Sequence, residues 1–377
     1  MAKVITFFNH KGGVGKTTVA HNLGVALTKI GKNILLVDAD PQMNLTASVL
    51  GLADSIEYAD RNESKWQEAR EKYTNIKDYL EEFITKNTRK FESKPINLFK
   101  YEPDAAEPLF ENVKKGKLEL LCGDIKLFDI ESTLYNIATR KSGIIDGSVY
   151  AVEEAIRTLG EEFDYILIDT SPSASSILNG VMVMMSDYFI APVFPNFFSL
   201  QAIDNLYEVI KNWINLLGDF RVTANNKGLS FQPKFLGIVI NMAKRVNSKK
   251  LTENTAIYSN IWKDKLNESI ENFYLQVSDS KRTVTRNEFI SIFEKSNPFI
   301  IEELCDFTGQ LRSISEISGT PIVDLTQKKV LSAVKKLNEA NDTNLSVSIN
   351  TKNSHYTVVF DEVSSSYSYI AKCISKI

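Results

Sequence analysis

The chain has 377 residues, 43% apolar and 24% charged, an ordinary globular composition long enough for one large α/β domain with additions. Its formal charge of −3 excludes a global basic field for nucleic acid, though not a local basic patch, because affinity follows phosphate contacts and not net charge. Cys122, Cys305 and Cys373 stand far apart with no C-x-x-C pair, and His10, His21 and His355 form no cluster, which removes the usual zinc and iron–sulfur ligand sets.

No signal peptide is read ahead of Lys3, and no apolar run reaches membrane-spanning length, so a cytoplasmic location is expected. "KVITFF" (Lys3 to Phe8) reads as a buried parallel strand, followed by a glycine loop. Val19, Ala20, Leu23, Ala26, Leu27 and Ile30 then repeat at helical spacing, and Gly31 stops the helix. "NILLVDAD" (Asn33 to Asp40) is a second strand ending in acids. "LELLCG", "YILIDT", "YFIAPVF" and "FLGIVIN", starting at Leu118, Tyr165, Tyr188 and Phe235, are further buried strands. Between the last two, Ser199 to Leu217 reads as a helix with Leu200, Ile203, Leu206, Ile210, Trp213 and Leu217 on one face and Gly218 beyond.

Strands alternating with helices imply a mostly parallel central sheet covered on both faces, with ligands at the carboxyl ends of the strands. The glycine loop, the acids of the second strand and Asp169 all fall there. Three stretches read as additions to a single domain spanning 1–377. Residues 62–115 are charged and mostly helical. Residues 252–306 read as polar helices around Trp262, Leu266 and Phe273. Residues 344–363 alternate as "LSVSIN" and "YTVVFDEV", which predicts a late β-hairpin.

"HKGGVGKTT" departs from the phosphate-loop pattern G-x-x-x-x-G-K-[ST]: His10 stands at the first glycine, and Lys11 adds a second lysine. Gly12, Gly13 and Gly15 let the backbone turn its N–H groups to an anion at a helix N-terminus. Lys16 is placed for β- and γ-phosphate oxygens and the Thr17 hydroxyl for Mg²⁺. Asp169, ending an apolar strand, supplies a carboxylate for the same Mg²⁺. Asp38 points the same way along its strand as Asp40, toward Mg²⁺ or switch geometry; one of the two can instead cap the turn before Pro41.

"KGGVGKTT", "LLVDADPQ" and "YILIDTSPS" resemble the deviant Walker A, switch I and Walker B segments of the ParA/MinD family of P-loop ATPases. "FIAPVFPNFFSLQAIDNL", "LGIVINM" and "SEISGTPIVDL" (Ser315 to Leu325) are similar to later family segments, in the same order. The resemblance is dense over Met1–Leu50 and Glu161–Met242 and thin in the additions. It implies an α/β P-loop NTPase fold with helical insertions, binding ATP and Mg²⁺.

By this resemblance Lys11, Gly12, Gly13, Val14, Gly15, Lys16, Thr17 and Thr18 contact the nucleotide, and Asn241 contacts adenine or merely satisfies a turn. Family members form ATP-sandwich homodimers, which would make Lys11 the lysine that reaches the partner's phosphates and Lys16 the one acting within its own subunit. A triphosphate carries enough negative charge for both. Asp40 matches the aspartate that positions the attacking water. Met43 stands where relatives often have glycine, and Ser171 and Ala174–Ser175 vary the switch II turn.

"DADPQMN" with "SEISGTPI" points to the ParA branch, which implies non-specific DNA binding in the ATP state, a ParB-like or other partner that stimulates slow hydrolysis, and a nucleoid-associated role in a prokaryote. The basic clusters "KRVNSKK" and "SKR" suggest Lys249, Lys250 and Arg282 as phosphate contacts, or else solvated loop faces. Tyr367, Ile370, Ile374 and Ile377 share a helical face of the tail, which either packs on the core or binds a membrane as in septum-positioning relatives. An accessory ATPase of a mobile-element or defence system, and a metabolic ligase or kinase, use the same loop and are the remaining alternatives.

Overall fold

The structure, a computed structural model, describes residues 1–52, 60–86, 96–103, 115–139, 148–226, 232–243, 253–296, 298–305, 309–341, 344–351 and 354–377. In chain order the first half holds β1 (Lys3–Phe7), α1 (Lys16–Lys29), β2 (Ile34–Ala39), α2 (Asn44–Leu50), α3 (Asp60–Lys72), α4 (Ile76–Lys86), β3 (Phe99–Tyr101), β4 (Leu118–Leu121), α5 (Leu127–Thr139), α6 (Ser148–Leu159) and β5 (Tyr165–Thr170). The second half holds α7 (Ile177–Met184), β6 (Tyr188–Val193), α8 (Phe197–Asp204), α9 (Leu206–Asn226), β7 (Lys234–Ala243), α10 (Glu253–Val277), α11 (Arg286–Phe293), β8 (Ile300–Cys305), α12 (Gly309–Ser318), α13 (Gln327–Asn341) and α14 (His355–Ile374).

The strands form one sheet in the order β3-β4-β2-β5-β1-β6-β7-β8. Every pair is parallel except β3–β4 at the edge. β2 and β5 are buried at every residue, as strands covered by helices on both faces must be. The register sets Asp38 opposite Asp169, and Phe7, the last residue of β1, opposite Asp169 on the other side. β1 lies between β5 and β6, where the winding of the sheet changes direction. The loop after β1 therefore opens at a topological switch point, the position that favours a ligand crevice.

Three expectations are corrected. The late β-hairpin is not formed: His355–Ile374 is the helix α14, capped by Ser354 Oγ, which accepts from Thr357 N at 3.0 Å. Its buried residues Val359, Val363, Tyr367, Ile370 and Ile374 recur every three to four positions. The preceding "LSVSIN" pairs with side chains of α13 and not with a strand. Asn338 exchanges two hydrogen bonds with the backbone of Leu345 (2.8 and 3.0 Å), and Gln327 Oε1 accepts from Ile349 N at 2.8 Å. Residues 252–306 contain the strand β8 as well as helices, whereas the described part of 62–115 is mostly helical with only the short strand β3 added. The helix expected to stop before Gly218 is broken at Asn205 into α8 and α9, and α9 continues to Asn226.

The tail packs on the core. Tyr367, Ile370 and Ile374 are fully buried, and Tyr165 Oη donates to the Ile374 carbonyl at 3.0 Å. No helix among the described residues is long and apolar enough to cross a membrane.

Candidate nucleotide-binding site

β1 delivers the chain to Asn9, a buried residue that sequence reasoning passed over. Its Nδ2 donates to the Pro192 carbonyl at 2.8 Å, and its Oδ1 accepts from Lys11 N at 2.9 Å. The loop is thus pinned to β6 at its entry. Gly13 (φ 72°) and Gly15 (φ 87°) take left-handed backbone that side chains resist. At Gly15 a Cβ would also stand 2.7 Å from Asn241 Nδ2. That amide donates to the Val14 carbonyl at 2.6 Å, so Asn241 at the end of β7 buttresses the loop from the other side. Gly12 is exposed at the loop crest, and Val14 is buried beneath it.

Lys16 turns inward. It is 7% exposed, and its Nζ donates to the Asn9 carbonyl at 3.1 Å. Burial lowers its pKa, and Asp169 and Asp40 pull in the opposite direction. Thr17 Oγ1 donates to Asp169 Oδ2 at 2.6 Å. The second oxygen of Asp169 is buried without a hydrogen-bond partner. An orphaned carboxylate oxygen beside a threonine hydroxyl fits a divalent cation. The glycine cradle and the lysine fit the phosphates such a cation would accompany. Among the described residues no group of three or more histidine, cysteine or acidic side chains can hold a metal alone. Mg²⁺ held by Thr17 and Asp169 would draw its other ligands from phosphate and water, as it commonly does.

Asp38 and Asp40 diverge. β2 ends at Ala39, so strand alternation does not carry through to Asp40. Asp38 Oδ2 accepts from the N and Oγ1 of Thr46, each at 2.7 Å. That engagement ties it to α2, and its strand register places it opposite Asp169. Asp40 lines the cleft and accepts from Gln42 N at 3.0 Å. Met43, the residue found in place of glycine, adopts φ 54° at the start of α2. A left-handed turn there accounts for a glycine preference. In switch II, Asn179 Nδ2 holds the Ser171 and Ser173 carbonyls at 2.9 Å each.

These groups surround a cleft of about 330 Å³ lined by Gly13 to Thr18, His21, Asn22, Asp40, Asn44, Ala47, Ser48 and Asn241. Its far wall is α12 and the following turn, with Arg312, Ser315, Glu316, Pro321 and Ile322. Lys11 does not line it: its ammonium lies 4.8 Å from the ring centroid of Phe198, itself 58% exposed. Arg282 is not a surface contact. It is 4% exposed, with a guanidinium nitrogen 3.8 Å from Met184 Sδ, because its segment pairs with Phe235 of β7. Lys249 and Lys250 lie outside the described residues.

Burial pushes the Asp38 carboxyl up to about 7 and that of Asp169 up to about 8; the neighbouring Asp38 charge adds to the second, and Thr17 and Lys16 oppose it. A carboxyl that binds its proton more tightly in the folded state contributes stability that is complete below its unfolded pKa. That contribution is lost as pH rises through the folded pKa. The thermal midpoint of the ligand-free chain is therefore expected to fall from about pH 4 to about pH 8, and to fall less in Asp169→Asn. Stabilisation by Mg²⁺ with nucleotide should grow over the same interval, because the cation needs the ionised carboxylate. Calorimetry across pH checks this; an equal fall in both proteins would contradict it.

Comparison with known proteins gives a family and a fold. A family model described as AAA domain matches residues 2–219. The chromosome partitioning protein ParA of Caulobacter vibrioides is 29% identical over 246 residues, covering 65% of this chain and 72% of that one. The sporulation initiation inhibitor protein Soj of Bacillus subtilis is 28% identical over 211 residues, covering 56% and 66%. Among solved structures, pNOB8 ParA bound to nonspecific DNA aligns with a TM-score of 0.52 at 18% identity, over 100% of this chain and 98% of that one.

Proposed function

Since this chain belongs to the AAA domain family and, within it, to the ParA/MinD P-loop ATPases, we propose that it is a Mg²⁺–ATP-dependent, dimerising ATPase of the ParA kind. In this reading its ATP state binds DNA non-specifically and positions a plasmid, a chromosome or other large cargo in a prokaryotic cytoplasm. The observation that carries the reading is the split between the two lysines of one loop. Lys16 is buried in its own cleft, whereas Lys11 stands outside it over an exposed aromatic ring. A second cation placed at the cleft mouth and turned outward suits phosphates held by another copy.

Each residue of the loop and switches then takes a role. Backbone N–H groups of the loop, Lys16 and the α1 N-terminus bind the triphosphate. Mg²⁺, which Thr17 and Asp169 would hold, would supply charge neutralisation. Asp40 holds the attacking water in place, and Lys11 of the facing copy stabilises charge that develops on the transferred phosphoryl group. Turnover is slow until a partner protein orders switch I and switch II. The buried apolar face of α14 favours this reading over membrane attachment.

For DNA the described residues offer a different patch from the one expected. On α13, Lys328, Lys335 and Lys336 are exposed, two turns of helix apart. The reading predicts that a non-specific duplex binds with a slowly hydrolysed ATP analogue and not with ADP, weakening steeply as salt rises. Replacing Lys328, Lys335 and Lys336 together by glutamate should lower affinity at least about tenfold and flatten the salt dependence, with ATP turnover retained. Binding that ignores nucleotide, or no binding in either state, would remove DNA as the matrix.

A further inference from the structure

The cleft has two walls from opposite ends of the chain. α2 supplies Asn44, Ala47 and Ser48; α12 and its following turn supply Arg312, Ser315, Glu316, Pro321 and Ile322. Lys16 and the glycine loop mark the phosphate end, which leaves the α12 wall to the nucleoside. The two walls meet at a pair of glycines. Gly51 ends α2 at φ 65°, and Gly319 follows α12 at φ 59°. A Cβ on Gly319 would stand 2.5 Å from Gly51 Cα and 2.7 Å from Gly51 N, and one on Gly51 would stand 3.4 Å from Gly319 Cα. Two left-handed glycine turns thus meet with no side chain between them.

Both walls are also fastened to one face of α1. His21 Nδ1 lies 3.0 Å from Ser48 Oγ, linking α1 to α2. Asn22 Oδ1 accepts from Val323 N at 3.2 Å, and Lys29 pairs with Asp324 at 3.0 Å, linking α1 to the turn after α12. Tyr101 from the edge strand β3 closes the circuit. Its hydroxyl lies 3.0 Å from Asp324 Oδ2, and its ring meets His21 at a centroid distance of 5.7 Å. At the other end of α2, Thr46 is held by Asp38, and Met43 N donates to the Asp40 carbonyl at 2.8 Å. A shift of α12 therefore has a contiguous route to Asp40: Gly319, Gly51, α2, then the turn that carries the aspartate. Packed interfaces of this kind pass small displacements on because they do not compress.

We infer that Gly51 and Gly319 are positioning residues that let switch I read the nucleoside. Base and ribose set α12, α12 sets α2, and α2 sets Asp40. A polyphosphate without a nucleoside then fills the loop and leaves switch I unordered, so hydrolysis is reserved for nucleoside triphosphates. This inference rests on the reading of the cleft as a nucleotide site.

The test is amide hydrogen exchange on the full wild-type chain with Mg²⁺ and either inorganic tripolyphosphate or a slowly hydrolysed ATP analogue. Both ligands should protect residues 9–18. Only the analogue should protect residues 40–50, slowing exchange at least about tenfold. Equal protection of switch I by tripolyphosphate would overturn the inference and leave the nucleotide site standing. Protection of the loop by neither ligand would overturn the nucleotide reading and the inference with it. Gly319→Ala, which forces the two turns apart, should keep the affinity for the analogue within about threefold while kcat falls about tenfold and protection of residues 40–50 disappears. Wild-type protection of those residues in a folded Gly319→Ala would also overturn it.

Discussion

Lys16→Ala is expected to weaken ATP binding at least about 100-fold and to leave no measurable turnover, the scale of effect seen when a buried, preorganised donor is lost from an anionic site. The ammonium lies inside the cleft, bonded to the Asn9 carbonyl at 3.1 Å, with Asp169 and Asp40 as the nearby charges. Without it a triphosphate at the glycine loop would meet the buried carboxyls of Asp169 and Asp40 with no ammonium beside them to offset their charge. Burial already disfavours the charged lysine, so its removal relieves a desolvation penalty as well as a favourable charge pairing. The ligand-free variant should accordingly melt within a few degrees of wild type, while the upward shift of the midpoint with Mg²⁺–ATP disappears. Calorimetry with and without nucleotide separates the two effects. Retained nucleotide stabilisation in Lys16→Ala would refute the role given to Lys16.

Lys11→Ala should behave in the opposite sense. The side chain does not line its own cleft, and its contact is the exposed ring of Phe198. ATP affinity measured on the monomer should therefore stay near wild type. Turnover should fall by about 10³-fold, the range associated with a charge-stabilising group supplied in trans. Wild-type turnover per chain should also rise with protein concentration, and that rise should vanish in the variant. Mixing Lys11→Ala with Lys16→Ala gives a sharper check. One cleft of the mixed dimer then combines an intact Lys16 with an intact Lys11 from the facing copy, and part of the activity should return. Equal turnover and assembly in Lys11→Ala and wild type would sink the cross-subunit role.

The centre of the fold was legible because parallel strands buried on both faces must be written as apolar runs. "NILLVDAD" and "YILIDT" became β2 and β5, each buried throughout. The edges were harder to read. β8 carries Glu302 and Glu303 in its middle, bonded to Lys295 and Lys263, and those charges interrupt the run that would have announced a strand. β3 has three residues, too few for a period. In the tail, alternation over eight residues suggested a hairpin, whereas the longer spacing from Val359 to Ile374 selects the helix that buries more apolar surface.

At the site, the loop, Lys16, Thr17 and Asp169 come together as expected, because the motif fixes strand, turn and helix at once. Asp38 and Asp40 take different partners: the Asp38 carboxylate accepts from Thr46 N and Oγ1 and from Asp40 N, while Asp40 lines the cleft. The far wall on α12, the Asn9 anchor and the glycine contact at Gly319 depend on residues up to three hundred positions apart, which no local pattern connects. Arg282 shows the matching risk in the other direction. A charged cluster in sequence gives no sign that one member is folded inward against Met184.

The central claim is that ATP, and not ADP, brings two copies together around the two lysines. The mass of the wild-type protein in solution, measured by light scattering with Mg²⁺ and either ADP or a slowly hydrolysed ATP analogue, tests it most directly. The account predicts the 42.5 kDa chain mass with ADP and twice that mass with the analogue, the doubling lost in Lys11→Ala. One and the same mass with both nucleotides would contradict it.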